Sequence, residues 1–224
     1  MKGYWPLLLL AAALSAIDAW ATLTFTGRHH VEHAPMAWFH ASAEFTIPTF
    51  FSVATMFAAG LGCWRQVGAP RWCWRLLGTL LCFLAIDDLC MVHEHVGCFV
   101  HAWFDGAGVY GWVLVLGPVF ATIGGICAFR LWRAFADEPA RRLRMLAGFV
   151  VLGLALGCEA LENAVMQSGW RPRGIELLAY AHWIEESLEM LGPVLLLTAT
   201  WPRRAVAYRE APISSYTVVR WTGS

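Results

Sequence analysis

FLAIDDLCMVHEHVG, residues 83–97, closes a long apolar run with two adjacent aspartates and a His-Glu-His segment. A helix needs about 20 apolar residues to cross the hydrocarbon core of a bilayer, and the run at about 76–97 has that length. Five further runs of similar length predict spans at about 5–26, 41–62, 108–131, 146–167 and 176–200. The chain is therefore predicted to be all-α, an integral membrane bundle of six transmembrane helices.

The composition excludes the usual soluble classes. Of the 224 residues, 58% are hydrophobic and 14% are charged, and the mean hydropathy is +0.54. A typical soluble domain has about 25% charged residues, so soluble enzymes, nucleic-acid binders and disordered proteins are excluded, and no nucleic-acid partner is expected. The seven cysteines form no Cys-x-x-Cys pair and are interpreted as small buried apolar residues rather than as a disulfide framework.

The basic residues predict the orientation. Arginines concentrate in the segments that join spans two to three and four to five, and in the tail after residue 202. The positive-inside rule makes that side cytoplasmic, which gives an N-in, C-in arrangement. We expect a multi-pass protein of the bacterial inner membrane, with a transmembrane domain at residues 1–202 and a short cytoplasmic tail at 203–224.

The first apolar run has a second interpretation. Lys2, the run from Leu7 and the triplet Ala19-Trp20-Ala21 have the order of a secretory signal peptide with a cleavage site. The run continues through Leu23 and Phe25, which favours a retained first helix over a cleaved signal.

Ten of the sixteen acidic residues lie inside the predicted spans, and no lysine or arginine lies there away from the ends. They are Asp18, Glu44, Asp87, Asp88, Glu94, Glu159, Glu162, Glu185, Glu186 and Glu189. An ionisable residue in a span costs several kcal/mol and by default marks a functional site that faces the bundle interior. At about 1.5 Å of rise per residue, most of these acids fall in the outer half of the membrane.

Helical phase predicts which of these side chains share a face. His182, Glu185, Glu186 and Glu189 fall on one side of the last span, and Glu159 and Glu162 share a side of the fifth. In the third span, Asp87 aligns with Glu94 at i,i+7, whereas His93 points elsewhere. The pair Gly153 and Gly157, a GxxxG motif, is predicted to serve close helix packing.

Carboxylates gathered without bases repel one another, so protons, water or cations must neutralise them. Bundle sites that combine single Glu ligands with Glu and His at three-residue spacing are typical of di-iron and di-manganese proteins. The candidate metal ligands are Glu44, Asp87, Asp88, His93, Glu159, Glu162, His182, Glu185 and Glu186. Such an oxygen-rich set favours one or two divalent ions of iron or manganese, with zinc as an alternative.

The predicted function is that of a membrane metalloprotein whose site opens to the periplasmic side. If it is an enzyme, the class is a metal-dependent oxidase or hydrolase of a lipid-like substrate, with Glu94 and Glu189 as catalytic proton carriers. Membrane lipids and a lipid-like small molecule are the expected partners. Two alternatives stay open: a proton or cation transporter or sensor that uses the same acids, and an accessory subunit of a membrane complex.

Two segments carry a resemblance. FLAIDDLCMVHEHVG and WIEESLEMLG (183–192) resemble the signature segments of a group of multi-pass bacterial membrane proteins without an assigned activity. That group has an Asp-[Asp/Glu]-x4-His-Glu segment and a Glu-Glu-x-x-Glu-x-x-Gly run. The matching residues are Asp87, Asp88, His93 and Glu94, then Glu185, Glu186, Glu189 and Gly192. The resemblance implies that these residues matter, and it implies no reaction.

Overall fold

The computed structural model describes residues 4–25, 46–67, 70–104, 111–167 and 175–201. Throughout these ranges the chain forms helices joined by turns, without a strand. The helices are α1 (Trp5–Phe25), α2 (Ile47–Trp64), α3 (Arg71–Cys90), α4 (Val92–Trp103), α5 (Trp112–Ala134), α6 (Pro139–Gln167) and α7 (Ile175–Thr200). The all-α prediction is confirmed. The predicted tail at 203–224 lies outside the described residues.

Fewer helices meet the requirements for a membrane span than the six predicted. Helix α2, helix α5 and the Pro139–Glu162 part of α6 are long and apolar enough to cross a membrane, and α3 with α4 adds a fourth if that bent pair is one span. The apolar stretch Trp5–Trp20 of α1 is shorter than these spans. Helix α7 carries three carboxylates within one 18-residue stretch, so by composition alone it is too polar to be assigned as a membrane span.

The predicted continuous span at 76–97 is instead two helices. Helix α3 ends at Cys90, Met91 adopts a left-handed backbone conformation (φ 54°, ψ 36°), and α4 starts at Val92 with its axis bent by 73°. Among the described residues other than glycine, Met91 alone has a positive φ. A single residue in this region interrupts the helix and changes its direction, so the side chains before and after it no longer follow one helical phase.

Five helices close into a ring. Helix α2 packs against α3, α3 against α5, α5 against α6, α6 against α7, and α7 back against α2. Helix α1 lies outside this ring on α7 and α2, and α4 packs on α5 and α3. Each helix of the ring packs against two neighbours. The space between α3 on one side and α6 and α7 on the other therefore remains open as a cavity.

Two close helix crossings stabilise the ring. At the α2–α3 crossing, a Cβ added to Gly60 would lie 2.9 Å from the carbonyl oxygen of Gly78. At the α6–α7 crossing, a Cβ on Gly192 would lie 2.7 Å from Cγ of Leu152, and Gly148 meets Leu196 equally closely. The absence of side chains lets these backbones approach, as in membrane helix pairs.

The GxxxG pair takes no part in such a crossing. A Cβ built on Gly153 or Gly157 would meet no atom of the described residues within 4 Å. The packing role predicted for these two glycines is therefore wrong, because the surface that they present faces open space rather than a neighbouring helix.

Arg141 fixes the end of the ring at which the arginines gather. Its Nε donates a hydrogen bond to the carbonyl oxygen of Ala199 (2.6 Å), and its Nη2 donates to Oε1 of Gln66 (2.7 Å). Gln66 in turn donates to the carbonyl oxygen of Thr200. The guanidinium also lies 4.2 Å from the ring centroid of Phe135. One cation thereby joins the start of α6 to the ends of α2 and α7, where free helix carbonyls attract positive charge.

Candidate metal centre

The break between α3 and α4 is stabilised by an aspartate. Oδ1 of Asp87 accepts the backbone N–H of His93 at 2.8 Å, and Oδ2 lies 3.2 Å from Nδ1 of the same histidine. His93 is the second residue of α4, so its N–H has no partner within the helix, and a carboxylate at a helix N-terminus also meets the positive end of the helix dipole. Asp87, only 5% exposed, is thus a cap delivered from the preceding helix.

This contact corrects the helical-phase prediction, which paired Asp87 with Glu94 and turned His93 away. The prediction assumed one continuous helix through Met91. Because the chain bends there, His93 meets Asp87 instead.

Trp112 extends the contacts of His93 to α5 and α6. The ring centroids of His93 and Trp112 lie 5.0 Å apart, and the indole Nε1 of Trp112 donates a 2.7 Å hydrogen bond to Oε1 of Glu159. The fourth predicted span contains no acid, so the sequence offered no site residue there, and Trp112 was missed. Its position at the start of an apolar helix, where an indole N–H needs a partner when buried, was the available signal.

On α7, one histidine lies between two glutamates. Nδ1 of His182 is 3.5 Å from Oε2 of Glu185, and Nε2 is 3.7 Å from Oε1 of Glu186. These separations follow from the i,i+3 and i,i+4 spacing, which sets the three side chains on one face of the helix, as predicted from the sequence. A histidine with a carboxylate at each ring nitrogen can bind a cation through one nitrogen and donate a hydrogen bond from the other.

Glu162 from α6 completes a three-residue group. One carboxylate oxygen of Glu162, one ring nitrogen of His182 and one carboxylate oxygen of Glu185 all lie within 4.8 Å of one another. Among the described residues, this is the group of His, Cys, Asp and Glu side chains that could hold a metal ion. Metal–ligand distances of about 2.0–2.2 Å allow two ligand atoms to lie up to about 4.4 Å apart, so the group is close to the size that a metal ion needs.

The Glu162 carboxylate has a buried oxygen without a hydrogen-bond partner among the described residues. Its residue is 5% exposed, and its Oε1 atom is buried without a hydrogen bond among the described residues. Glu185, 6% exposed, is equally buried. A buried carboxylate oxygen without a donor is costly, because nothing replaces the water that it lost. A cation held between Glu162 and Glu185 would remove that cost, so the donor set fits a metal.

A cavity of about 1000 Å³ lies beside this group inside the ring. Most of the predicted site residues line one part of it: Asp87, Asp88, His93, Glu94, Glu159, His182, Glu185, Glu186 and Glu189. Six separate helices, α2 to α7, contribute to the lining. Glu44 lies outside the described residues. Asp18, 1% exposed in α1, is near enough to Glu186 to interact with it electrostatically.

The predicted ligands thus fall into different environments. Glu162, His182 and Glu185 converge on one point, whereas Asp87 is occupied with His93, and Glu159 with Trp112. The remaining predicted residues with described positions border the cavity without joining the close group. Their roles as ligands or proton carriers stay predictions.

Comparison with known proteins identifies the family. Residues 7–202 match the family described as "Domain of unknown function (DUF8692)". This match covers most of the 224 residues, so the chain belongs to that family. No curated protein and no solved structure matches the chain.

Proposed function

We propose that this member of the DUF8692 family is an integral membrane metalloprotein in which Glu162, His182 and Glu185 bind one divalent metal ion. The observation that carries the proposal is the buried Oε1 of Glu162, which has no hydrogen-bond partner in the described part of the chain. The neighbouring carboxylate, that of Glu185, is also buried. Two adjacent buried carboxylates need a cation or a proton between them. The histidine within 4.8 Å favours a metal ion.

The donor set supports iron or manganese. Two carboxylates and one imidazole are hard ligands, which suit these ions better than copper, with zinc as the alternative. Glu186 would orient His182 by accepting a hydrogen bond from the ring nitrogen that does not bind the metal. Three protein ligands leave coordination positions open, as in catalytic rather than structural metal sites.

The chemistry of such a site is that of an oxidase or hydrolase. A bound metal activates oxygen or lowers the proton affinity of a bound water. Glu94 and Glu189 line the same cavity and are free of the close metal-binding group, so they are the candidate proton carriers. Glu94 is exposed and could exchange protons with solvent, whereas Glu189 is half-buried further along α7.

The helix directions support six membrane passes with both termini on the basic side. Arg141, at the start of α6, meets the ends of α7 and α2, and Trp112, at the start of α5, meets the end of α6. The ring helices therefore alternate in direction from α2 through α3, α5 and α6 to α7, and α7 runs parallel to α2 where the ring closes. Helix α1 continues the alternation, because Ser15 hydrogen-bonds Trp183 and Ser187 of α7, whereas the earlier residues Ala11 and Leu14 cluster with the later residue Met190. With the positive-inside rule, this favours a multi-pass protein of the bacterial inner membrane.

The cavity gives less support to the transporter alternative. A proton or cation path needs polar groups across the whole membrane. Beyond the acidic residues, the described wall continues with apolar side chains, among them Leu77, Leu81 and Phe149. A site open from one side agrees better with this lining than a complete path does.

Metal analysis of the detergent-purified protein tests the proposal. We expect about one equivalent of iron or manganese in the wild type, and binding weakened by more than about tenfold in Glu162→Gln and His182→Ala, since ligand loss exceeds the 10–100-fold cost of disturbing a supporting residue. The Gln variant keeps the shape of the side chain, so its fold should be retained. Asp137→Asn, an exposed carboxylate in the α5–α6 turn, is the matched control and should keep its metal. Well-folded wild-type protein without metal would overturn the proposal.

A further inference from the structure

The cavity has two chemically distinct parts. One part holds the carboxylates and histidines described above, and the other is lined by apolar side chains of α3, α5 and α6, including Leu77, Phe120 and Phe149. Along α3, the distance from Asp87 to Leu77 is about 15 Å, from a rise of about 1.5 Å per residue. This is about half of the roughly 30 Å hydrocarbon core, the depth of one leaflet. A polar part with an apolar extension of this length has the shape of a single-chain amphiphile.

Small residues form the wall between α5 and α6 at the level of the apolar part. Ala121 and Gly125 of α5, and Val150 and Gly153 of α6, line the cavity and are exposed. Ala121, Gly125 and Gly153 carry little or no side chain, so an opening through the wall needs the least rearrangement here. Within the described part of the chain, a Cβ on Gly125 or Gly153 would meet nothing within 4 Å, so no described side chain fills the space beside these two glycines.

The surface around the opening is apolar. Val119, Ile126 and Leu154 flank it with exposed fractions of 48%, 44% and 53%. Both helices are long and apolar enough to cross a membrane. The opening therefore faces the lipid chains rather than water, and a molecule entering there comes from within the bilayer.

The acidic part selects the head group. Among the residues that the structure describes, no lysine or arginine lines the cavity, and the polar lining consists mainly of carboxylates and histidines. Phosphate and carboxylate head groups are bound in proteins by arginine, lysine or helix N-termini. An anionic head group would meet repulsion here, whereas an uncharged alcohol or a cationic amine would not.

We propose that the gap between α5 and α6 is a lateral entrance for a membrane amphiphile that has a single hydrocarbon chain and an uncharged or cationic head group. The chain lies in the apolar part of the cavity, and the head group reaches the acidic part. The role of the metal as the destination of the head group rests on the proposed function, whereas the entrance and the head-group preference rest on the cavity and its acidic lining.

Photo-crosslinking in nanodiscs tests this proposal. The probes are a diazirine-labelled long-chain alcohol, the corresponding amine and the corresponding alkyl phosphate. We expect the alcohol and the amine to label residues of α5 and α6 that line the cavity, and the phosphate to label them at least about tenfold less, the discrimination that a mismatched polar group produces.

Filling the gap should prevent labelling. In Gly153→Phe the new ring has room, because nothing lies within 4 Å of its Cβ, and it would occupy the entrance. We expect labelling by the alcohol probe to fall about tenfold, as when the apolar part of a ligand is excluded, with unchanged metal content. Leu154→Phe, the adjacent exposed residue that does not line the cavity, is the control and should label normally.

The outcomes separate the two proposals. Labelling that Gly153→Phe leaves unchanged, or equal labelling by the alkyl phosphate, would overturn the amphiphile proposal whatever the metal content. Labelling that Gly153→Phe prevents in a protein without metal would support the entrance and reject the metal centre.

Discussion

Asp87 connects two helices through one side chain. Its two oxygens contact the backbone N–H and the ring of His93, on the far side of the Met91 bend. The bend needs this contact, since α4 would otherwise begin with an unpaired N–H in a partly buried position. The aspartate that the sequence offers as a metal ligand therefore has a structural explanation as well.

Replacing Asp87 should destabilise the fold without removing the metal. We expect Asp87→Ala to lower the free energy of unfolding by about 1–2 kcal/mol, the upper range for losing a helix cap. Asp87→Asn keeps an acceptor for the N–H of His93 and should lose about half as much. Denaturant unfolding of the detergent-solubilised protein measures both, and metal analysis measures occupancy. Equal stability of the Ala variant and the wild type would show that the contact contributes nothing.

Helical phase predicted part of the site correctly and missed the rest for a physical reason. His182 and Glu185 lie one turn apart on an unbroken helix, so a period of 3.6 residues places them together. The contact between Asp87 and His93 crosses a left-handed residue, where that period fails. The Trp112 contact depends on how α5 sits against α6, which no local pattern contains.

At the scale of the helices, glycines play two different roles. Gly192 lies against Leu152 at the crossing of α6 and α7, whereas Gly153 and Gly157 face open space. The sequence motif alone favours the second pair, because GxxxG spacing is the usual sign of close packing. Which glycines pack depends on where the neighbouring helix lies, and one chain's sequence does not carry that information.

A matched pair of alanine variants tests this distinction. In Gly192→Ala, the added methyl would lie 2.7 Å from Cγ of Leu152, and we expect a loss of about 1–3 kcal/mol in unfolding free energy, typical of overpacking. In Gly157→Ala, the methyl meets nothing, and the variant should match or exceed the wild type by up to about 1 kcal/mol through helix propensity. Thermal unfolding of the two variants under identical detergent conditions makes the comparison. The same loss in both would contradict it.

At the scale of the whole molecule, the sequence correctly predicted an all-helical protein but overestimated the number of helices that are apolar enough to span a membrane. Helix α7 carries acids of the proposed site within the helix, which lowers its mean hydropathy, and the bend at Met91 divides what the sequence presents as one apolar run. Function and hydropathy conflict at these two places, because residues that serve a site are those that a span would otherwise exclude. Counting spans by the length of apolar runs therefore fails in the helices that carry the proposed site.

Arg141 should contribute more to stability than the other arginines at its end of the molecule. It donates hydrogen bonds to Ala199 and Gln66 and contacts two aromatic rings, so we expect Arg141→Ala to cost about 2–3 kcal/mol, as for a hydrogen-bonded charged group. Arg141→Lys should recover little, because a lysine cannot reproduce the two-pronged geometry. Arg75→Ala, at an exposed arginine, is the control and should stay within about 0.5 kcal/mol of the wild type. Chemical unfolding monitored by tryptophan fluorescence gives the three values, and an Arg141→Ala variant as stable as Arg75→Ala would refute this role.

The opposite placement of acids and arginines has an electrical consequence. The formal net charge is zero, yet carboxylates line one part of the ring while Arg141 and its neighbouring arginines hold the other end. Such a separation is a permanent dipole along the helix axes. An energised membrane acts on each separated charge with about 2.3 kcal/mol per 100 mV over its full thickness. A chain that is neutral as a whole is thus subject to the transmembrane voltage, which acts on the positions of its charges rather than on their sum.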